Sequence, residues 1–247
     1  MSIATDRVSL FIPCLVDQVY PEMGLAMVRV LRRLGVEVTY DRRQTCCGQP
    51  AFNAGQRIEA LKVARGFVQT MSESPAPTVV GLSGSCAAMV RNYYPALFEG
   101  DAASEAACGL GERIYEFGEY LVGSGLVEQI SGSFTGKVGF HNSCHSLREL
   151  GLRDEAFTVL ERITGYELCQ PPGDPVCCGF GGVFSVKYAE IAGGMGCSRL
   201  EQFRNLGVET LVSNDPGCIL HLRQEAERLQ DPVRFLHIAE FLDEAMG

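Results

Sequence analysis

The stretch Thr45-Cys-Cys-Gly-Gln-Pro50 returns later in the chain as Val176-Cys-Cys-Gly-Phe-Gly-Gly182. A single cysteine stands on either side of each pair, Cys14 and Cys86 around the first and Cys144 and Cys218 around the second. Corresponding thiols are 130, 131 and 132 positions apart (Cys14 to Cys144, Cys46 to Cys177, Cys86 to Cys218). So regular an offset marks a chain made of two copies of one unit. Residues 113–121, RIYEFGEYL, match residues 234–242, RFLHIAEFL, in apolar spacing and in their glutamate, so the duplication extends beyond the thiols. Periodicity lapses in the Gly/Ser-containing stretch 123–136, which places the expected boundary there and divides the chain into domains 1–130 and 131–247.

Within each copy short apolar runs alternate with longer amphipathic ones. In the first copy strands are expected at 8–13, 36–40 and 78–82, and helices at 21–34, 54–71, 87–97 and 115–122. In the second, strands are expected at 137–140, 166–169 and 210–213, and helices at 147–163, 184–206 and 219–229. Strands alternating with helices imply parallel βαβ units. The expected fold is therefore α/β: two lobes related by a pseudo-twofold axis, each a small parallel sheet with flanking helices. Cys14, Cys86, Cys144 and Cys218 then fall just past the carboxyl ends of strands, and each cysteine pair lies in the loop after its lobe's second strand. Ligands gather beyond the carboxyl ends of open parallel sheets, so three loops bring four thiols to one place in each lobe.

Composition narrows the partners. Net charge is −9 with a pI near 5.0, and the densest cationic spots are the pairs Arg32–Arg33 and Arg42–Arg43, which argues against a nucleic-acid partner. The opening residues, MSIATDRVSLFIP, lack the basic start of an export signal, and no run is long enough to span a membrane. The expected compartment is the cytoplasm, where 11 cysteines point to metal binding rather than to a disulfide framework.

Four thiolates from widely spaced loops suit an iron–sulfur cluster. Gly48 and Gly179 would let the backbone approach the metal and supply N–H donors to sulfur. Zinc is the rival metal, since four thiolates close a tetrahedral site, but the C-x2-C knuckles usual in short zinc sites are missing at these positions. Cys108, Cys169 and Cys197 have no counterpart in the other copy and read as structural. His141 and His145 flank Cys144, whereas no histidine flanks Cys14, so the second lobe is expected to be the more chemically active. Either histidine would serve as a hydrogen-bond donor beside the cluster or as a proton relay. Asn214 or Asp215 reads as a helix cap, and Ser85 and Ser143 as donors to sulfur. The chain lacks G-x-G-x-x-G and P-loop sequences, so no independent nucleotide cofactor is expected. No catalytic residue is assigned, and the expected role is to pass electrons.

The repeated C…CCG…C arrangement resembles the cysteine-rich CCG domain. The resemblance rests on Ile12-Pro-Cys-Leu15, Thr45 to Pro50, Ser83-Gly-Ser-Cys86, His141-Asn-Ser-Cys-His145, Val176 to Gly182 and Asn214-Asp-Pro-Gly-Cys218, and it spans essentially the whole chain. That domain occurs twice in the disulfide-reducing component of heterodisulfide reductase and in iron–sulfur subunits of glycolate and glycerol-3-phosphate oxidising systems. The resemblance implies an electron-transfer subunit of a complex oxidising L-lactate to pyruvate, working with its other iron–sulfur and accessory subunits. In heterodisulfide reductase each copy ends in C-x2-C and five thiolates hold a noncubane cluster. Here Met89 and His221 take the last position. Four cysteines per site remain, the number that a cubane 4Fe–4S cluster uses, with His221 a candidate nitrogen ligand in the second. Related domains also carry zinc in one copy. The alternatives are a disulfide reductase of the heterodisulfide reductase type, a zinc-stabilised scaffold, and a subunit of a glycolate or glycerol-3-phosphate oxidising system.

Overall fold

Apart from Arg7, every residue of β1 (Arg7–Phe11) is buried, as the inner strand of a covered parallel sheet requires. The computed structural model describes residues 3–4, 6–173 and 175–247; Met1, Ser2 and Thr5 of the opening stretch lie outside the described residues. β1 is flanked by β2 (Glu37–Thr39) and β3 (Thr78–Gly81), and β4 (Ile114–Glu116) follows β3, giving the parallel order β2-β1-β3-β4. A second parallel sheet repeats this order as β6-β5-β7-β8, from β5 (Gly132–His141), β6 (Ile163–Cys169), β7 (Thr210–Ser213) and β8 (Arg234–His237). The expected pair of α/β lobes is thus present, with four strands in each sheet among the described residues.

Helices cover both sheets. The first lobe carries α1 (Cys14–Val19), α2 (Pro21–Arg33), α3 (Gln49–Asn53), α4 (Arg57–Ser72), α5 (Gly84–Ala88), α6 (Tyr94–Leu97), α7 (Ser104–Arg113) and α8 (Phe117–Gly123). A π-helical turn, Met89–Tyr93, joins α5 to α6. The second lobe carries α9 (Cys144–Arg148), α10 (Glu155–Leu160), α11 (Val183–Lys187), α12 (Ala189–Arg204), α13 (Pro216–Arg228) and α14 (Ile238–Met246).

The structure refines the expected elements in specific places. The helix expected at 115–122 begins only at Phe117, because Ile114–Glu116 is the fourth strand and Glu116 caps α8. β8 plays the same part before α14, and His237 is its cap. The helix expected at 54–71 starts at Arg57, after a break at Gly55 with φ of 80°. Residues 147–163 form two short helices and the start of β6 instead of one helix, interrupted at Gly151 with φ of 75°.

The lobes share one buried cluster, while a second, around Phe11, Phe67 and Tyr94, lies within the first lobe. Val16, Met27 and Phe117 of the first half lie in the same buried cluster as Phe140, Leu200 and Phe241 of the second. α14 packs on α2 and α10 on α8. At the rim, Asp243 receives Arg29 and Arg33, each at 2.6 Å. At the centre Ser83 and Asp215, which cap α5 and α13 at corresponding positions, meet across the pseudo-twofold axis. Asp215 Oδ2 accepts from Ser83 Oγ at 2.9 Å and from the Ser85 amide at 3.0 Å. Its Oδ1 accepts from the Gly217 amide at 2.9 Å, so a buried carboxylate joins the two lobes.

Candidate metal centre

Each sheet delivers its cysteines in the same way. Cys14 and Cys144 open the short helices that follow β1 and β5. Cys86 and Cys218 lie in the first turns of α5 and α13, after β3 and β7. Ser83 Oγ fixes the start of α5 by accepting from the Cys86 amide at 3.2 Å. The adjacent cysteines occupy the loops before α3 and α11, and each pair is followed by a glycine in the left-handed region, Gly48 at φ 86° and Gly179 at φ 94°. That turn aims the glycine amide back at sulfur: Gly48 N–H points to Cys46 Sγ and Gly179 N–H to Cys177 Sγ, both at 3.4 Å. The Phe180 amide approaches Cys178 Sγ at 3.5 Å. In the first lobe Tyr94 Oη donates to the Cys47 carbonyl at 2.8 Å and anchors the loop from behind.

The sulfurs are close together. In the first lobe Cys14 and Cys46 are 3.7 Å apart and Cys47 and Cys86 3.4 Å; in the second, Cys178 and Cys218 are 3.1 Å apart. These are contacts between free thiols, well beyond the ~2.05 Å of a disulfide bond. Hydrogen bonds from the Cys14 and Cys47 thiols push Cys46 down to about 3, and those from Cys144 and Cys178 push Cys177 down to about 2. Cys14 and Cys144 are driven the other way, by their hydrogen bonds to Cys46 and Cys177 and then by burial. One sulfur per lobe is thus held toward the thiolate, while Cys14 and Cys47 in the first lobe and Cys144, Cys178 and Cys218 in the second are held toward the thiol. Sulfurs this close cannot all ionise without a cation among them. A metal centre supplies that charge, so the donor set fits one.

All eight cysteines of the two sets line a single cavity of about 320 Å³ between the lobes. Ser83, Ser85, His145 and Asp215 reach the same cavity. His145 is half-buried, its Nδ1 3.6 Å from Cys144 Sγ and its Nε2 3.6 Å from Glu149. His141 is fully buried, and its ring nitrogen forms a cluster with the Cys178 and Cys218 sulfurs in which all ligand atoms lie within 4.8 Å of one another. Burial first, and then the Arg199 charge, lower its pKa to about 3. His221 is buried too, with Nε2 2.9 Å from the Ala192 carbonyl oxygen.

Other candidates are placed differently. Ser85 and Ser143 are engaged with other serines, Ser83 and Ser146, each at 2.9 Å, rather than with sulfur. Asp215, and not Asn214, caps α13; the Asn214 side chain accepts from the Ser143 amide at 3.0 Å. Cys108 is exposed, Cys169 turns toward Glu167, and Cys197 meets Glu225 and Arg228, all outside the cavity lining. Sequence reasoning missed Arg199, which is only 3% exposed and donates from Nε to His141 Nδ1 at 3.2 Å. The signal was available, because Arg199 lies 132 positions after Phe67 in the register of the repeat.

Residues 8–91 and 138–223 each match the family described as a cysteine-rich domain, CCG. The chain is 40% identical to lactate utilization protein A of Geobacillus kaustophilus, over 96% of this chain and 98% of that one. It is 38% identical to lactate utilization protein A of Bacillus subtilis, over 96% and 99% of the two chains. Among solved structures it is similar to glutamate racemase from Francisella tularensis at a TM-score of 0.37 and 12% identity, covering 97% of this chain and 78% of that one. That likeness bears on neither fold nor function.

Proposed function

The chain belongs to the cysteine-rich CCG family and, within it, to the group of lactate utilization protein A chains, and on that premise we propose that it is an iron–sulfur electron-transfer subunit in the oxidation of L-lactate to pyruvate. The observation that carries the proposal is the convergence of two four-cysteine sets on one cavity. Cys14, Cys46, Cys47 and Cys86 would hold one cluster, and Cys144, Cys177, Cys178 and Cys218 the other. A 4Fe–4S cluster in each set supplies one-electron acceptance and release. The glycine amides at Cys46 and Cys177 and the imidazole of His145 beside Cys144 hold the sulfurs in position and offer them hydrogen bonds. Facing sets within one cavity keep the path between them inside the protein. The chain's residues include no hydride acceptor of their own, so other subunits of a lactate-oxidising complex would oxidise the substrate and take the electrons onward. A cytoplasmic location belongs to the same proposal; among the described residues no helix is long and apolar enough to cross a membrane.

The sulfur spacing supports a second reading. Four thiolates about 2.3 Å from one tetrahedral zinc ion sit about 3.8 Å apart, near the 3.7 Å between Cys14 and Cys46. Anaerobic purification with iron, sulfide and zinc analysis, followed by EPR of the reduced and oxidised chain, separates the two. About eight irons and eight sulfides per chain with reducible signals is the expected result. Zinc without sulfide would refute electron transfer and leave a scaffold.

A further inference from the structure

The two thiol sets are backed by chemically opposite walls. In the first lobe Phe11 packs at a tilt against Phe67 with ring centroids 4.5 Å apart, and with Met89 they form a fully buried cluster that includes Cys47 and Cys86. The repeat places His141, Arg199 and His221 at the corresponding positions of the second lobe, and all three are buried as well. Where the first lobe has an apolar trio, the second has two imidazoles and a guanidinium at the same three points.

Two features of the second trio point toward the sulfurs. The Arg199 guanidinium is buried over the Phe203 ring at 4.3 Å and reaches Gln202 Oε1 at 2.7 Å, but among the described residues no carboxylate lies within ion-pair distance. A buried cation without a counter-charge is costly, and the nearby groups that a bound metal centre would make anionic are the Cys178 and Cys218 thiols. His141 Nδ1 accepts from Arg199 Nε. A guanidinium has only donors, so the Nδ1 position bears no proton and Nε2 carries it. That Nε2–H is buried and has no partner among the described residues, on a ring that has a nitrogen within 4.8 Å of the Cys178 and Cys218 sulfurs. A protonated nitrogen cannot ligate a metal, so what this Nε2–H can offer the sulfurs of a loaded centre is a hydrogen bond.

We propose that Arg199 and His141 are a tuning pair confined to the second lobe: Arg199 orients His141, whose Nε2–H donates to the Cys178 and Cys218 sulfurs and raises the reduction potential of that centre. The inference rests on the iron–sulfur reading above. Hydrogen bonds and positive charge at cluster sulfurs favour the reduced state, which carries one more negative charge. When a reduced iron–sulfur donor passes one electron to this site, Arg199 meets the added charge and His141 keeps its proton, so no bond forms or breaks. Asp215 acts on Cys144 and Cys218 in the opposite sense, but it sits on the seam and is untouched by the substitutions below.

The test is an EPR-monitored redox titration of the anaerobically purified full chain, with iron and sulfide counted for each preparation. Wild type is compared with His141→Phe, with Arg199→Met, and with Arg199→Lys, which keeps charge and donor. In His141→Phe and Arg199→Met one of the two midpoints is expected to fall. At fixed poise its oxidised-to-reduced ratio rises about tenfold, about 59 mV for a one-electron couple. The other midpoint stays in place, and Arg199→Lys recovers most of the shift. Midpoints unchanged at full iron content, or both moving together, overturn the pairing. If Arg199→Met loses iron from one site, His141→Phe decides, and a wild-type midpoint there overturns it too. Wild type without sulfide or reducible signals instead refutes the iron–sulfur reading, and the metal analysis tells the two failures apart.

Discussion

At Gly48 and Gly179 a side chain is excluded on two independent grounds. The left-handed backbone disfavours it, and a Cβ there would sit 2.9 Å from the Ala60 carbonyl oxygen or 2.5 Å from that of Ala192. Gly179→Ala is expected to cost on the order of 1–3 kcal/mol in chemical denaturation and to lower metal content at the second site, since the cysteine loop must move. Gly55→Ala is the control: φ is 80° but nothing lies within 4 Å, so it carries the backbone strain without the collision. Equal losses in both variants would mean that the close approach is irrelevant. The cysteines and their glycines were legible in the sequence because the repeat offset is written in residue identities. Arg199 was not, because an arginine in a helix ordinarily faces water, and 58 residues separate it from His141. Only a position-by-position comparison of the two halves, Phe11 against His141 and Phe67 against Arg199, exposes the pair.

Among the elements, the short fourth strands were the hardest to read. β4 spans three residues and β8 four, too few for an alternating pattern to show before the helical pattern that follows takes over. Their ends carry matched capping boxes, Glu116 with Glu119 and His237 with Glu240. Burial drives the two caps in opposite directions. Glu116 rises from an ordinary carboxyl value to about 8, and His237 falls to about 4. A raised folded-state value means that Glu116 contributes stability that is complete below about 4.5 and is lost as pH rises through about 8. His237, depressed, contributes stability present above about 6.5 and lost as pH falls through about 4. Glu116→Gln, which keeps the accepting oxygen for the Gly118 and Glu119 amides, is expected to flatten the decline between about 4.5 and 8 and to gain on the order of a few kcal/mol relative to wild type at pH 9. Denaturation curves at pH 5, 7 and 9 measure this, and parallel curves for the two proteins would rule it out.

For the molecule as a whole, the alternation of strands and helices disclosed two α/β units, but periodicity is silent about how two units dock. The seam is made by residues that look ordinary in sequence. Gly84 is one of them, since a Cβ there would lie 1.8 Å from Ser146 Oγ of the other lobe. With Val16, Met27, Phe140 and Phe241 in one cluster, the larger core closes only when both halves are present. The full chain is expected to unfold in one cooperative transition, with far- and near-ultraviolet circular dichroism coinciding; two separated transitions would show that the lobes are independent. The meeting of Ser83 with Asp215 also bears on ancestry. A unit that pairs with its own copy must present the same side chain from both sides of the axis. Two serines can bond there, whereas two buried aspartates would set carboxylate against carboxylate. The serine–aspartate contact requires two copies that are no longer identical. Duplication therefore came before this divergence, and the second half can no longer serve as its own mate.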